Sequence, residues 1–111
     1  MDVSNETRQG VTVVTLDGDI DGKNAGTTQA NVLPLIPQDG KLLLDMTKVG
    51  YMSSAGLRML LLLYRQALGK GSSVALVGLS EEIRDTMSAT GFLDHFKVAS
   101  SVDEGVAALS S

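Results

Sequence analysis

Lys41-Leu42-Leu43-Leu44-Asp45-Met46 is a short apolar run with a polar end, and Gln38-Asp39-Gly40 before it is a turn. Such a run, bounded by turn residues, reads as a buried strand. Asp45 then stands at its C-terminal end, where α/β folds place functional loops. Ser73-Val74-Ala75-Leu76-Val77 has the same character. Between the two lies the most apolar helical stretch, Leu57 to Gly69. Strands alternating with helices point to a mostly parallel sheet, joined by right-handed crossovers.

Upstream, Gly10-Val11-Thr12-Val13-Val14-Thr15-Leu16 is β-branched and apolar on both faces, a strand largely buried. The polar stretch Val3 to Arg8 forms a short edge strand against it, with Gln9-Gly10 as the hairpin turn. Asp17-Gly18-Asp19-Ile20-Asp21-Gly22 is a loop. Its acidic residues do not make a calcium loop, because the twelfth position is Thr28 counted from Asp17 and Ala30 counted from Asp19, not glutamate. Asn24 is placed to cap a helix from Ala25 towards Leu33, ended by Pro34. Ala25, Thr28, Gln29, Val32 and Ile36 share one side of it.

Downstream, Ser80 caps a helix running from Glu81 to about Thr90, with Glu81 and Glu82 favouring its first turn. Ile83, Met87 and Thr90 share a face, and Gly91 ends the helix. Phe92, Leu93 and Phe96 are expected to pack as a small satellite of the core. Lys97-Val98-Ala99 is a last short strand. Ser101 and Glu104 form a capping-box pattern for a weak final helix containing Gly105. The tail frays from about Ser110-Ser111. The order is ββαβαβαβα: an α/β domain with an antiparallel N-terminal edge strand and helices packed on the sheet. No repeat, linker or low-complexity block divides residues 1–111, so the reading is one domain.

Composition narrows the function. The chain has 111 residues, 43% hydrophobic and 20% charged, enough for a core without disulfides or metals. Its net charge of -4 comes with nine scattered Lys and Arg, so no basic stripe marks a nucleic-acid surface. There is no cysteine, which removes thiolate nucleophiles and zinc–thiolate sites and fits a reducing compartment. Met1 to Thr7 lacks the features of a signal peptide, and Leu57 to Tyr64 is too short to span a bilayer. The expectation is a cytoplasmic protein without cofactor or metal.

Asp45, Met52 and Ser53-Ser54-Ala55-Gly56-Leu57 ahead of the apolar helix resemble the core pattern of the STAS domain family. The likeness is to the bacterial single-domain anti-sigma factor antagonists. Leu16-Asp17-Gly18-Asp19-Ile20-Asp21 with Asn24-Ala25 is similar to a second family signature, and Gly91-Phe92 ahead of Phe96-Lys97-Val98 to a third. Together they span nearly the whole chain. The resemblance implies that Ser54 is phosphorylated by an anti-sigma factor that is a serine kinase, and that a PP2C-type phosphatase removes the phosphate. It places Met52, Ser53 and Gly56 in the partner contact, with the loop around Gly18 and Asp19 beside it. Ser53 stands where the family usually has Asp, which makes Ser53 a rival acceptor. Ala55 stands where a second Ser or Thr is usual.

The residues carry a reading of their own. Ser53 or Ser54 caps the helix beginning near Ala55. A phosphate there meets free N–H groups and the positive helix end. Gly56 permits close approach, by a partner or within the domain. Along the helix, Leu57, Leu60, Leu61, Tyr64 and Leu68 form a stripe that can bury on a sheet. Met59 and Leu62 fall outside it, with Arg58, Arg65 and Gln66. They are either scattered surface apolar residues or a partner-binding patch.

An enzyme reading has little to stand on. A Ser54–His95–Asp triad needs Gly91 to Phe96 to fold back on Ser54, and no Gly-x-Ser-x-Gly elbow is present. Gly69-Lys70-Gly71-Ser72 follows a helix, where a P-loop follows a strand. The expected function is an anti-sigma factor antagonist in a partner-switching pathway. The alternative is a STAS module serving as a scaffold, or as a transporter or lipid-transport accessory, without phosphorylation.

Overall fold

Gln9 and Gly10 both take positive φ, 50° and 80°. This is the primed-turn geometry whose twist matches paired strands, and glycine adopts it without steric cost. The turn joins β1 (Asp2–Arg8) to β2 (Val11–Asp17) in an antiparallel hairpin, from Arg8 opposite Val11 to Asp2 opposite Asp17. The chain then alternates. Helix α1 (Ala25–Val32) runs into a 3-10 turn at Leu33–Leu35, followed by β3 (Lys41–Lys48), α2 (Ser54–Gly69), β4 (Ser73–Val77) and α3 (Glu81–Ala89). A 3-10 turn at Phe92–His95, β5 (Lys97–Ala99) and α4 (Val102–Ser110) complete it. A computed structural model describes residues 1–110; Ser111, the end of the expected frayed tail, lies outside the described residues.

The five strands lie in the order β1-β2-β3-β4-β5. β1 pairs antiparallel with β2, and the other pairs are parallel. This is the expected mostly parallel sheet with an antiparallel edge. Side chains alternate across a strand, so the sheet has two apolar faces. Val14, Leu16, Leu42, Leu44, Met46, Val74 and Leu76 point into the larger cluster, shared with α1, α2 and α3. Val11, Val13, Leu43, Ala75 and Val77 point the other way and meet Val106 and Leu109 of α4. Gly105, a weakness for helix propensity, has a packing reason here. A Cβ at that position would sit 2.6 Å from Leu43 Cδ1 and 2.8 Å from Val77 Cγ2.

Four expectations need correction. Asn24 does not cap α1 with its side chain. It turns back into the loop, where its Oδ1 accepts from Asp21 N–H at 2.9 Å and its Nδ2 donates to the Asp19 carbonyl at 2.8 Å. Asp21 takes over the end of the loop, accepting from the N–H groups of Lys23 and Asn24. Second, Phe96 belongs to the main core, with Phe92 and Leu93 packed against it; there is no satellite there. Third, Thr90 is exposed, its hydroxyl donating to the carbonyls of Thr86 and Met87.

The fourth correction concerns the face of α2. The buried residues are Gly56, Met59, Leu60, Leu63 and Ala67, while Leu68 is 54% exposed. The buried stripe is rotated about the axis from the expected one. Apolar residues surround almost the whole of this helix, so 3.6-residue spacing fits more than one stripe. The small residues Gly56 and Ala67 decide it, because they let the helix lie close.

Candidate functional site

β3 runs on to Lys48, and three residues before its end Asp45 is tied locally. Its Oδ1 accepts from the Thr47 N–H at 3.0 Å and from the Thr47 hydroxyl. Thr47 in turn lies against Gly78 at the end of β4, where a Cβ would meet it. The chain then passes from Val49 to Ser53 beside the loop after β2. Gly18 N–H donates to the Lys48 carbonyl (3.2 Å), Ile20 N–H to the Tyr51 carbonyl (3.0 Å), and Ser53 N–H to the Ile20 carbonyl (2.9 Å). Ile20 and Met52 form a parallel bridge. The two loops, far apart in sequence, are thus one ledge at the start of α2. The Asp19 carboxylate lies against Gly50 on the same ledge.

Gly56 holds the helix onto this ledge. A Cβ there would stand 2.3 Å from Met52 Cγ and 3.0 Å from Ile20 Cγ2. Its role is close packing inside the domain. Met52, 8% exposed, is likewise packed beneath the first turn rather than offered at the surface.

The two serines have different positions. Ser53 is the N-cap, extended at φ -79° and ψ 176°, and its Oγ accepts from the Gly56 N–H at 3.4 Å. Ser54 is the first residue of α2 and is exposed. Its hydroxyl makes no hydrogen bond within the described residues. No acidic residue stands in the first turn of α2, so the positive end of the helix dipole is not compensated by a carboxylate on that turn.

A shallow groove runs beside Ser54 between α1 and α2. Gly26 and Gln29 line it from α1; Ala55, Arg58, Met59 and Leu62 line it from α2. Met59 and Leu62, paired by the sequence reading, separate here. Met59 is 3% exposed and belongs to the core, so its expected place on the surface is corrected. Leu62 is 38% exposed and Arg58 is exposed as well, so they form the rim. Tyr51, 49% exposed on the ledge, was not singled out from the sequence. Its signal was an aromatic residue in a loop between a strand and a helix.

His95 lies elsewhere. Its ring packs on Tyr64 at a centroid distance of 5.4 Å, and Phe96 packs on the same tyrosine at 5.1 Å. Tyr64 is ten residues along α2 from Ser54, roughly 15 Å at 1.5 Å per residue. The Ser54–His95 pair that a triad needs is not assembled. Among the described residues, no helix is long and apolar enough to cross a membrane.

The geometry can be set beside known proteins. BtrV of Bordetella bronchiseptica, named as an anti-sigma factor antagonist, is 28% identical over 112 residues, covering 100% of this chain and 97% of BtrV. The crystal structure of a protein from Thermotoga maritima, also named as an anti-sigma factor antagonist, superposes with a TM-score of 0.89 at 15% identity. It covers 98% of this chain and 95% of that one. The Bacillus protein SpoIIAA, an anti-sigma factor antagonist solved in unphosphorylated and phosphorylated forms, gives TM-scores of 0.75 and 0.70 at 17% and 18% identity. Each form covers 95% of this chain, and 93% and 96% of SpoIIAA respectively. The family model of the STAS domain matches residues 2–105. The ledge, the serine-capped helix and the sheet that carries them are those of a chain that belongs to the STAS domain family.

Proposed function

We propose that this chain is an anti-sigma factor antagonist in a partner-switching pathway of the bacterial cytoplasm. Unphosphorylated, it binds a serine-kinase anti-sigma factor and so frees what that kinase inhibits. Phosphorylation of Ser54 releases it, and a PP2C-type phosphatase restores it. The observation that carries this reading is the division of labour between the serines. Ser53 is occupied as the cap, whereas Ser54 is exposed with its hydroxyl unengaged. The relatives named as anti-sigma factor antagonists support the same reading, and the two solved forms of SpoIIAA support phosphate as the controlling mark.

The physics follows from the position. A phosphoryl group adds a charge of about -1.5 to -2 at neutral pH. At the first residue of α2 it meets the open N-terminal end of the helix, so the fold accommodates it. A partner seated over the ledge and the Arg58–Leu62 rim must instead desolvate that charge, which is costly unless it is paired. A small chemical mark therefore separates two proteins without unfolding either. Asp19, Tyr51, Ser54, Arg58 and Leu62 offer the accessible contacts of this surface. Met52, Gly56 and Met59 shape it from beneath.

The test combines the purified chain with candidate serine-kinase anti-sigma factors of the same genome and ATP, and then maps phosphate by mass spectrometry. Phosphate is expected on Ser54, absent in Ser54→Ala and present in Ser53→Ala, with ATP-dependent dissociation of the complex. Phosphate retained in Ser54→Ala and lost in Ser53→Ala would overturn the site. A stable complex that ATP neither marks nor releases would overturn the switch.

A further inference from the structure

The two edges of the sheet are unlike. β5 has three residues, Lys97–Ala99, whereas β1 has seven, six of them exposed. Proline, lysine and bulges are common devices for blunting an open edge. β1 contains no proline and no lysine, and its register with β2 runs without a bulge. The turn geometry shows which backbone groups are open. A two-residue primed turn closes on a hydrogen-bonded pair, here Arg8 with Val11. By alternation, Glu6, Ser4 and Asp2 also direct their N–H and C=O groups to β2. Val3, Asn5 and Thr7 direct theirs outward.

We propose that β1 pairs antiparallel with β1 of a second copy of this chain, about a two-fold axis through Asn5. Asn5 then faces Asn5 of the second copy, and Val3 and Thr7 of each copy face Thr7 and Val3 of the other. All six outward groups are satisfied. Registers centred on Ser4 or Glu6 bring together only two such pairs within the strand. The same register sets Asp2 opposite Arg8 of the second copy, twice by symmetry, at the closely spaced non-hydrogen-bonded positions. Ser4 opposes Glu6 there. The register with the most hydrogen bonds is thus also the one that matches opposite charges. Arg8 has capacity for this pair. It holds Asp103 through Nη2 at 2.8 Å, its side chain is 42% exposed, and a guanidinium has five donors. The product is one twisted sheet running through both copies, independent of the phosphorylation reading.

The chain has no cysteine, so a single introduced thiol reports on one position. A hydrogen-bonded antiparallel pair holds its Cα atoms about 5.5 Å apart, within disulfide range. Under mild oxidation, Asn5→Cys is expected to give a covalent dimer, while Val3→Cys and Thr7→Cys cross-link only when mixed with each other. In sedimentation equilibrium the intact chain shifts towards twice its mass as concentration rises to about 1 mM. Asp2→Arg, which places like charges opposite at both ends, weakens that association by about tenfold or more. Circular dichroism of Asp2→Arg checks that the fold is kept. A monomer mass over the whole range overturns the proposal. So do a dimer unmoved by Asp2→Arg and equal cross-linking of Asn5→Cys and Thr7→Cys alone.

Discussion

Helices α2 and α3 begin alike and differ in the residues just after the cap. Each starts on a serine whose hydroxyl accepts the N–H three residues on: Ser53 from Gly56 at 3.4 Å, Ser80 from Ile83 at 3.2 Å. In α3 the next two residues are Glu81 and Glu82, which answer the positive helix end, and the third is Ile83, a core side chain. In α2 the next two are Ser54 and Ala55, and the third is Gly56. Helix α4 repeats the α3 pattern, with Ser101 as cap and Asp103 and Glu104 in its first turn. Of the three serine-capped helices, α2 alone leaves its positive end without a carboxylate in the first turn, and it does so beside an exposed hydroxyl. A cap makes a helix start; an uncompensated cap next to a free serine makes a place where added negative charge is accommodated.

The largest difference between the two helix starts is expected at the third position. α3 carries Ile83 there, whereas α2 has no room. Gly56→Ala presses a methyl onto Met52 and Ile20, an overpacking cost of roughly 1–3 kcal/mol, opposed by the roughly 1 kcal/mol that alanine gains over glycine in a helix. The expected net loss is about 0–2 kcal/mol by urea denaturation. A variant more stable than the parent means that the ledge does not hold α2 at Gly56.

Next come the caps themselves. Ser53→Ala and Ser80→Ala are each expected to lower stability by about 1 kcal/mol. A loss for Ser80→Ala with none for Ser53→Ala would remove the capping role from Ser53 and reopen its claim as phosphoacceptor. The smallest effect isolates the charge at the two helix ends. Ser54→Asp supplies the carboxylate that α2 lacks and is expected to raise stability by about 0.3–1 kcal/mol at low salt; Glu81→Gln removes one from α3 and lowers it by a similar amount. Both differences shrink in high salt. Equal signs for the two variants would show that the first turns are not electrostatically different.

Much of this was legible in the chain. Lys41–Met46 and Ser73–Val77 are strands because β-branched and leucine runs of that length sit between turn residues, a local signal. Ser80 and Ser101 are caps for the same local reason. The register of the hairpin follows from a two-residue turn. Asn24 failed as a cap because a short amide can hydrogen-bond backwards as easily as forwards, and the carbonyl of Asp19 and the N–H of Asp21 were near enough to hold it. Phe96 joined the main core because β5 brings it under the sheet; nothing adjacent to it in sequence announces that.

Local pattern by itself therefore determined the element order, the parallel sheet with its antiparallel edge, and the serine-capped start of α2. Alternation, turn chemistry and capping act over a few residues, so a sequence displays them directly. Only the tertiary structure decided which face of α2 is buried, which removed Met59 from the surface and left Leu62 and Arg58 on it. It also decided that Gly18–Ile20 and Lys48–Ser53 form one ledge. Both depend on contacts between segments some thirty residues apart, and side-chain periodicity carries no information about what a face will meet.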